Sequence, residues 1–217
     1  MFPRRIRSYV LREGRMTSGQ QRAIDRLWPR YGLSAEAGLL DYRSCFGRTG
    51  PTVLEIGFGM GDSLLEMAAS APGQNFIGIE VHRPGVGHLL GLAESAGIEN
   101  LRVFNADGVE VLNHSIPSGS IDRIQIFFPD PWHKKKHHKR RLISPAFAVL
   151  VESRLKPGGI LHVATDWLDY AETMAEAVAL TGMEPVTPPG RPATKYEKRG
   201  LRLGHEVRDL AWRKAKG

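Results

Sequence analysis

Thr52-Val53-Leu54-Glu55-Ile56-Gly57-Phe58-Gly59-Met60-Gly61-Asp62 decides how the rest of the chain is read. An apolar run too short for a helix passes into a loop with glycine at every second position. The loop then opens a helical pattern over residues 63–69, with Asp62 expected as its N-cap. Strand, glycine loop and helix in this order begin a nucleotide-binding βαβ unit, because glycines let backbone approach a ligand where a side chain would block it. A second strand is expected over residues 76–81, and it carries Glu80 near its end, where an acid suits the diol of a ribose.

Outward from this unit, further strands are expected over residues 101–105, 121–128 and 160–165, with helices over 88–96, 144–155 and 168–180. Strands alternating with helices imply right-handed crossovers and a mostly parallel sheet covered on both faces. Ligands then bind at the carboxyl ends of the strands. Residues 1–48 precede the first strand and read as a basic N-terminal extension with a helix over 20–28. Residues 49–217 read as one α/β domain, whose last stretch, 205–212, can supply a final antiparallel edge strand. At 217 residues and 41% hydrophobic content the chain is long enough for one well-buried domain with appendages.

The glycine loop alone fits either a nicotinamide dinucleotide or S-adenosylmethionine. Two details favour the second. The spacing is G-x-G-x-G rather than the G-x-G-x-x-G that seats a pyrophosphate on a helix N-terminus, and Glu55 and Asp62 flank the loop with negative charge. Carboxylates repel a pyrophosphate but attract a sulfonium and an ammonium group. Asp107, in Asn105-Ala106-Asp107 after the third strand, is placed to accept from an adenine amino group, or else is a solvated loop acid.

Charge is segregated. Residues 1–48 carry ten Arg against four acids, residues 132–141 six Lys/Arg and no acid, and residues 191–217 nine bases against three acids. Of 30 basic and 23 acidic residues that leaves five and 16, so an acidic body of −11 wears three cationic segments of +6 each. Such an arrangement favours a polyanionic partner, although charge alone does not separate RNA from DNA. No apolar run is long enough to span a bilayer and residues 1–7 lack the apolar stretch of a signal peptide, so no membrane partner and a cytoplasmic location are expected. Cys45 is the single cysteine, which leaves no internal disulfide. Nothing in the chain demands more than a monomer or weak dimer.

The most unusual stretch follows the fourth strand: Phe127-Phe128-Pro129-Asp130-Pro131-Trp132-His133-Lys134-Lys135-Lys136-His137-His138-Lys139-Arg140-Arg141. Two prolines hold the backbone around Asp130, Trp132 can stack on a base, and the basic run can hold phosphates. His133 and His137 have the spacing of a helical metal pair, but no further ligand completes a set, and no metal is expected.

With this block and the glycine loop in view, the sequence resembles the bacterial tRNA (guanine-N7-)-methyltransferases. Two further segments carry the resemblance. One is Arg7-Ser8-Tyr9-Val10-Leu11-Arg12-Glu13-Gly14-Arg15-Met16-Thr17. The other is Arg191-Pro192-Ala193-Thr194-Lys195-Tyr196-Glu197 with Gly200-Leu201-Arg202-Leu203-Gly204-His205. Ser18-Gly19 stands where Pro-Ala is common in the family, and Tyr196 where Phe is common. The resemblance implies an α/β fold, the Rossmann-like seven-strand S-adenosylmethionine-dependent methyltransferase sheet, mostly parallel with one antiparallel strand. It implies methylation of N7 of guanine 46 in the variable loop of tRNA. Glu55, Glu80, Asp107 and Asp130 would line the S-adenosylmethionine site together with Gly57, Gly59 and Gly61, Asp130 doubling as the catalytic residue. Lys134, Asp166, Thr194, Lys195, Tyr196 and Glu197 would contact the tRNA. Readings from other classes are a nicotinamide-dependent reductase, an amino-methyltransferase of the acid-Pro-Pro-aromatic type, and an RNA-binding module with a degenerate cofactor site.

Overall fold

The computed structural model describes Ser8, Tyr9, residues 15–194, Glu197 and residues 206–216. The chain begins with α1 (Ser18–Tyr31), β1 (Gly32–Leu33) and α2 (Tyr42–Phe46), and enters the βαβ unit with β2 (Thr52–Ile56), α3 (Asp62–Ser70) and β3 (Asn75–Ile79). It continues through α4 (Arg83–Ser95), β4 (Leu101–Phe104), α5 (Gly108–His114), β5 (Ile121–Phe127) and α6 (Pro145–Arg154). Then come β6 (Leu155–Thr165), α7 (Leu168–Ala179), β7 (Met183–Val186) and β8 (Arg208–Lys214).

These strands form one sheet in the order β1-β4-β3-β2-β5-β6-β8-β7. All pairings are parallel except the two made by β8, which runs antiparallel to both β6 and β7. Every residue of β2 and β3 is buried, as expected of parallel strands covered on both faces. One apolar cluster, with Leu54, Ile124, Phe147 and Tyr170, lies on one face, and a second, with Val53, Leu64, Phe76 and Leu89, on the other. Sheet order reverses at β2, where β3 lies on one side and β5 on the other. This is where an open α/β sheet forms its ligand crevice.

The sheet is the expected mostly parallel one, and it differs from the sequence reading in four details. The seven strands are joined by an eighth, β1, whose two residues pair with Val103 and Phe104 of β4. The C-terminal strand is not at the edge: β8 is inserted between β6 and β7, and β7 forms the border. The helix expected from residue 88 starts at Arg83, with Pro84 in its first turn, where the fixed φ of proline suits helix entry. Asp62 lies inside the first turn of α3 rather than at its cap, because Gly61 takes the cap position in the left-handed region.

Part of the basic front segment is built onto this sheet. Thr17 and Gln20 exchange the reciprocal bonds of a capping box at the start of α1. Ile24, Leu27 and Tyr31 of α1 are buried, and the Tyr31 hydroxyl donates to the Ile98 carbonyl at 2.9 Å. Among the described residues, no helix is long and apolar enough to cross a membrane.

Candidate active site

Gly57, Gly59 and Gly61 all adopt positive φ, at 81°, 61° and 85°, so the loop after β2 curls in a conformation that side-chain-bearing residues resist. At Gly57 a Cβ would meet nothing within 4 Å, whereas at Gly61 it would strike Leu89 at 2.8 Å. The first glycine therefore leaves open space and the last permits close helix packing. Gly85, in the first turn of α4, was not singled out by sequence, although a Cβ there would come within 1.9 Å of the Gly59 carbonyl oxygen.

Glu80 fastens this loop to the end of β3. One carboxylate oxygen accepts from the Gly59 amide at 2.7 Å, and the other from the amides of Val81 and His82 at 2.7 and 2.8 Å. Burial raises its pKa above the usual range, against the pull of those three donors. A carboxylate has about four lone-pair positions, so roughly one remains for a ligand hydroxyl.

The crevice beside the loop has a volume of about 270 Å³ and is bordered by Gly57, Gly59, Glu80, Phe128, Asp130 and Leu142, among others. A second cavity of about 360 Å³ adjoins it, with Ser8 and Leu142 bordering both, and is lined by Asp107, Lys139 and Arg140. Asp107 is the N-cap of α5, where one oxygen accepts from the Val109 and Glu110 amides at 2.8 and 3.3 Å. Glu55 is not among the lining residues of either cavity. It is buried one residue before Ile56, which does line the crevice, and accepts from Gln125 Nε2 at 2.6 Å. Burial pushes the Glu55 carboxyl up to about 7, partly offset by that hydrogen bond.

The loop after β5, residues 128–134, which would face a methyl acceptor and is termed the acceptor loop, is strained on both sides of Asp130. Phe128 at φ 53° and Trp132 at φ 50° are the only non-glycine residues with positive φ among those described, and they bracket Pro129-Asp130-Pro131. Such conformations cost on the order of 1–3 kcal/mol each and persist only where surroundings impose them. The surroundings do so here. The Phe128 amide donates to the Ala164 carbonyl at 2.8 Å, and the Arg191 guanidinium lies 4.8 Å from the Phe127 ring centre and 5.8 Å from that of Phe128. The Trp132 indole N–H donates to the Ser8 carbonyl at 3.1 Å, with Arg140 4.5 Å from its ring centre. Arg141 Nε donates to the Pro131 carbonyl at 3.0 Å and Nη1 to the Thr173 hydroxyl at 2.9 Å, while Nη2 pairs with Asp169. Asp130 itself is exposed at the crevice rim.

Two expected RNA contacts are thus redirected inward. The Trp132 ring is half-buried and engaged by Arg140, and Arg141, counted in the cationic run, is buried and paired. Lys134, Lys135 and Lys136 remain exposed, the latter two in a short 3₁₀ turn over Lys135–Arg140. Among the described residues no cluster of three metal-ligating side chains is present. His133 instead packs edge-on against Trp167, with ring centres 4.3 Å apart.

Asp166 follows β6, half-buried. Thr194 and Glu197 bond reciprocally: the Glu197 amide donates to the Thr194 hydroxyl at 3.1 Å and the Thr194 amide to the Glu197 carboxylate at 3.3 Å. Lys195 and Tyr196 lie outside the described residues, as do residues 1–7, 10–14 and 198–205. Arg191 holds this segment in place. It donates to both carboxylate oxygens of Asp209, at 2.9 and 2.6 Å, and to Glu197 at 2.5 Å. Asp209 also meets His162 Nε2 at 2.7 Å. Burial alone would raise the Asp209 pKa, but the hydrogen bonds from His162 and Arg191 outweigh it and hold it at about 2.

Residues 49–210 match the family model described as "Putative methyltransferase". A tRNA (guanine-N(7)-)-methyltransferase of Alcanivorax borkumensis is 54% identical over 97% of this chain and 92% of its own length. One from Halorhodospira halophila is 53% identical over 97% and 96%. Among solved structures, the 16S rRNA methyltransferase KamB superposes with a TM-score of 0.62 at 16% identity, over 82% of this chain and 94% of that one. The [4+2]-cyclase SpnF superposes at 0.55 and 17%, over 96% and 86%. At such identities the two structures establish the shared α/β fold.

Proposed function

The chain belongs to the tRNA (guanine-N(7)-)-methyltransferase family, and from that premise we propose that it methylates N7 of a guanine in tRNA, guanine 46 of the variable loop, using S-adenosylmethionine. The observation that carries this reading is Asp130, mounted between two left-handed aromatic residues at the mouth of a crevice built by a glycine loop.

The residues present fit the cofactor. Open space at Gly57, the spare acceptor capacity of Glu80 and the carboxylates of Asp107 and Asp130, which border the two adjoining cavities, suit a ribose, an adenine amino group and a cationic centre, with Glu55 buried behind them as a further negative group. Gly57 and Gly59 give it backbone to lie against, while Gly61 lets the loop pack on α4. Bound there, S-adenosylmethionine supplies an electrophilic methyl group on a sulfonium.

Guanine N7 is an unprotonated acceptor on the major-groove edge, so no proton has to be removed before it attacks. Asp130 is therefore not needed as a general base. Positioning of the base in line with the methyl group can supply roughly 7–11 kcal/mol. The 7-methylguanine product is cationic, and a carboxylate fixed beside the ring stabilises that charge as it develops. Lys134, Asp166, Thr194, Lys195, Tyr196 and Glu197 are assigned to the tRNA, with residues 1–48 as an extension of the 49–217 domain. A tRNA substrate puts the reaction in the cytoplasm.

The test is methyl transfer from labelled S-adenosylmethionine to unmodified tRNA, followed by borohydride and aniline, which cleave at 7-methylguanosine. Cleavage in the variable loop is expected, and labelling without cleavage would discard N7. Asp130→Asn should lose most turnover while keeping cofactor affinity within a few-fold. Near-normal turnover in that variant would sink the charge-stabilising role.

A further inference from the structure

One aromatic side chain beside the acceptor loop serves neither core nor cap. Trp167 is 36% exposed, and its neighbour Leu168 is 57% exposed. Trp167 also occupies the N-cap of α7 without any side-chain capping bond, at a position where Ser, Thr, Asp and Asn are strongly preferred. A stability-driven sequence would put neither a large exposed aromatic nor a side chain unable to cap at this position.

The surroundings say what the ring is for. His133, exposed on the acceptor loop, meets Trp167 edge-on at 4.3 Å and 75° between ring planes. His133 precedes Lys134, and Trp167 follows Asp166. Their contact therefore joins the end of β6 to the loop that carries Asp130, and the exposed Lys134, Lys135 and Lys136 lie next to it in sequence. An aromatic face in a cationic setting matches single-stranded nucleic acid, where bases stack on the ring while lysines meet the phosphates. A protein partner would sooner meet an apolar patch free of such a charge run.

We propose that Trp167, buttressed by His133, is a stacking platform for an unpaired tRNA base adjacent to the target guanine. This rests on the tRNA-methyltransferase reading and adds a base-binding position to it. Stacking is sequence-tolerant, so the platform orders the nucleotide beside the target without selecting its identity.

The test compares Trp167→Ser, which supplies a capping side chain and so preserves the start of α7, with Trp167→Phe, which keeps an aromatic face. Binding of unmodified tRNA is titrated by fluorescence anisotropy across a salt series, and binding of S-adenosylmethionine by calorimetry. In the Ser variant tRNA affinity should fall roughly 5- to 150-fold, the range expected when one base–aromatic stack is removed. The slope of log affinity against log salt should stay the same, since every phosphate keeps its cation, and cofactor affinity should not change. The Phe variant should recover most of the affinity. Full tRNA affinity in Trp167→Ser, a flattened salt slope, or a Phe variant as weak as Ser would each overturn the platform while leaving the enzyme reading intact. Failure of the unaltered protein to bind tRNA would overturn both.

Discussion

Burial, the largest of the causes acting on it, pushes the Glu55 carboxyl up to about 7. Its folded pKa lies above the ordinary value of 4.5, so folding favours the neutral form. That contribution is fully present below about pH 4.5 and is lost as pH rises through 7. A cationic group bound nearby would reverse the preference by favouring the carboxylate. S-adenosylmethionine binding should therefore release a proton, and affinity should rise between about pH 5 and 7 and level off above. Calorimetry in buffers of different ionisation enthalpy measures the release, and Glu55→Gln should abolish it. A pH-independent affinity in the unaltered protein would mean that no cationic group of the ligand reaches Glu55. Sequence pointed to Glu55 through its place beside the glycines, but its depth could not be read there. The next residue along β2, Ile56, is the one that faces the crevice, and a buried strand shows no polar alternation to tell its two faces apart.

At the scale of elements, the strand–helix alternation was legible because each strand is an apolar run and each helix has its own periodicity. The positions of β1 and β8 were not. Two residues make no pattern, and the insertion of β8 between β6 and β7 depends on antiparallel pairings between segments far apart in sequence, such as Ile160 with Arg213 and Thr165 with Arg208. The same remoteness concealed the role of Arg191. Only when β8 lies beside β6 does Asp209 reach it, and Arg191 then ties β8, the Thr194–Glu197 pair and the aromatic end of β5 into one unit. Arg191→Met should remove about 3 kcal/mol of stability, measured by urea denaturation, because Asp209 and Glu197 lose their cation in a half-buried setting. Arg191→Lys should restore little, since a point charge cannot reproduce the planar fork. The loss should shrink as pH falls from about 4 towards 2, where protonation of Asp209 removes its need for the cation. A loss under about 0.5 kcal/mol, the range of ordinary surface changes, would show that the segment is held by other interactions.

For the whole molecule, segment charge pointed to a polyanion, yet a charge count treats every cation alike. Arg141 and Arg191 are neutralised internally by Asp169, Asp209 and Glu197, whereas Lys134, Lys135 and Lys136 face solvent. The double variant Lys134→Ala/Lys135→Ala should bind tRNA more weakly and reduce the salt slope by roughly one for each phosphate left without its lysine, with cofactor affinity unchanged. An unaltered slope in filter binding would remove these lysines from the interface.

The placement of β8 also sets an order for assembly of the sheet. Among the described strands, the last in sequence order fills an interior gap in the sheet, so until it docks β6 offers an open edge and Asp209 is not in place. A chain terminated ahead of Arg208 would keep Arg191 and Glu197 but lose Asp209, the carboxylate that holds Arg191 against Phe127 and Phe128. Docking of β8 and bracing of the loop around Asp130 are thus one event, because the carboxylate that anchors Arg191 arrives on the strand that closes the sheet.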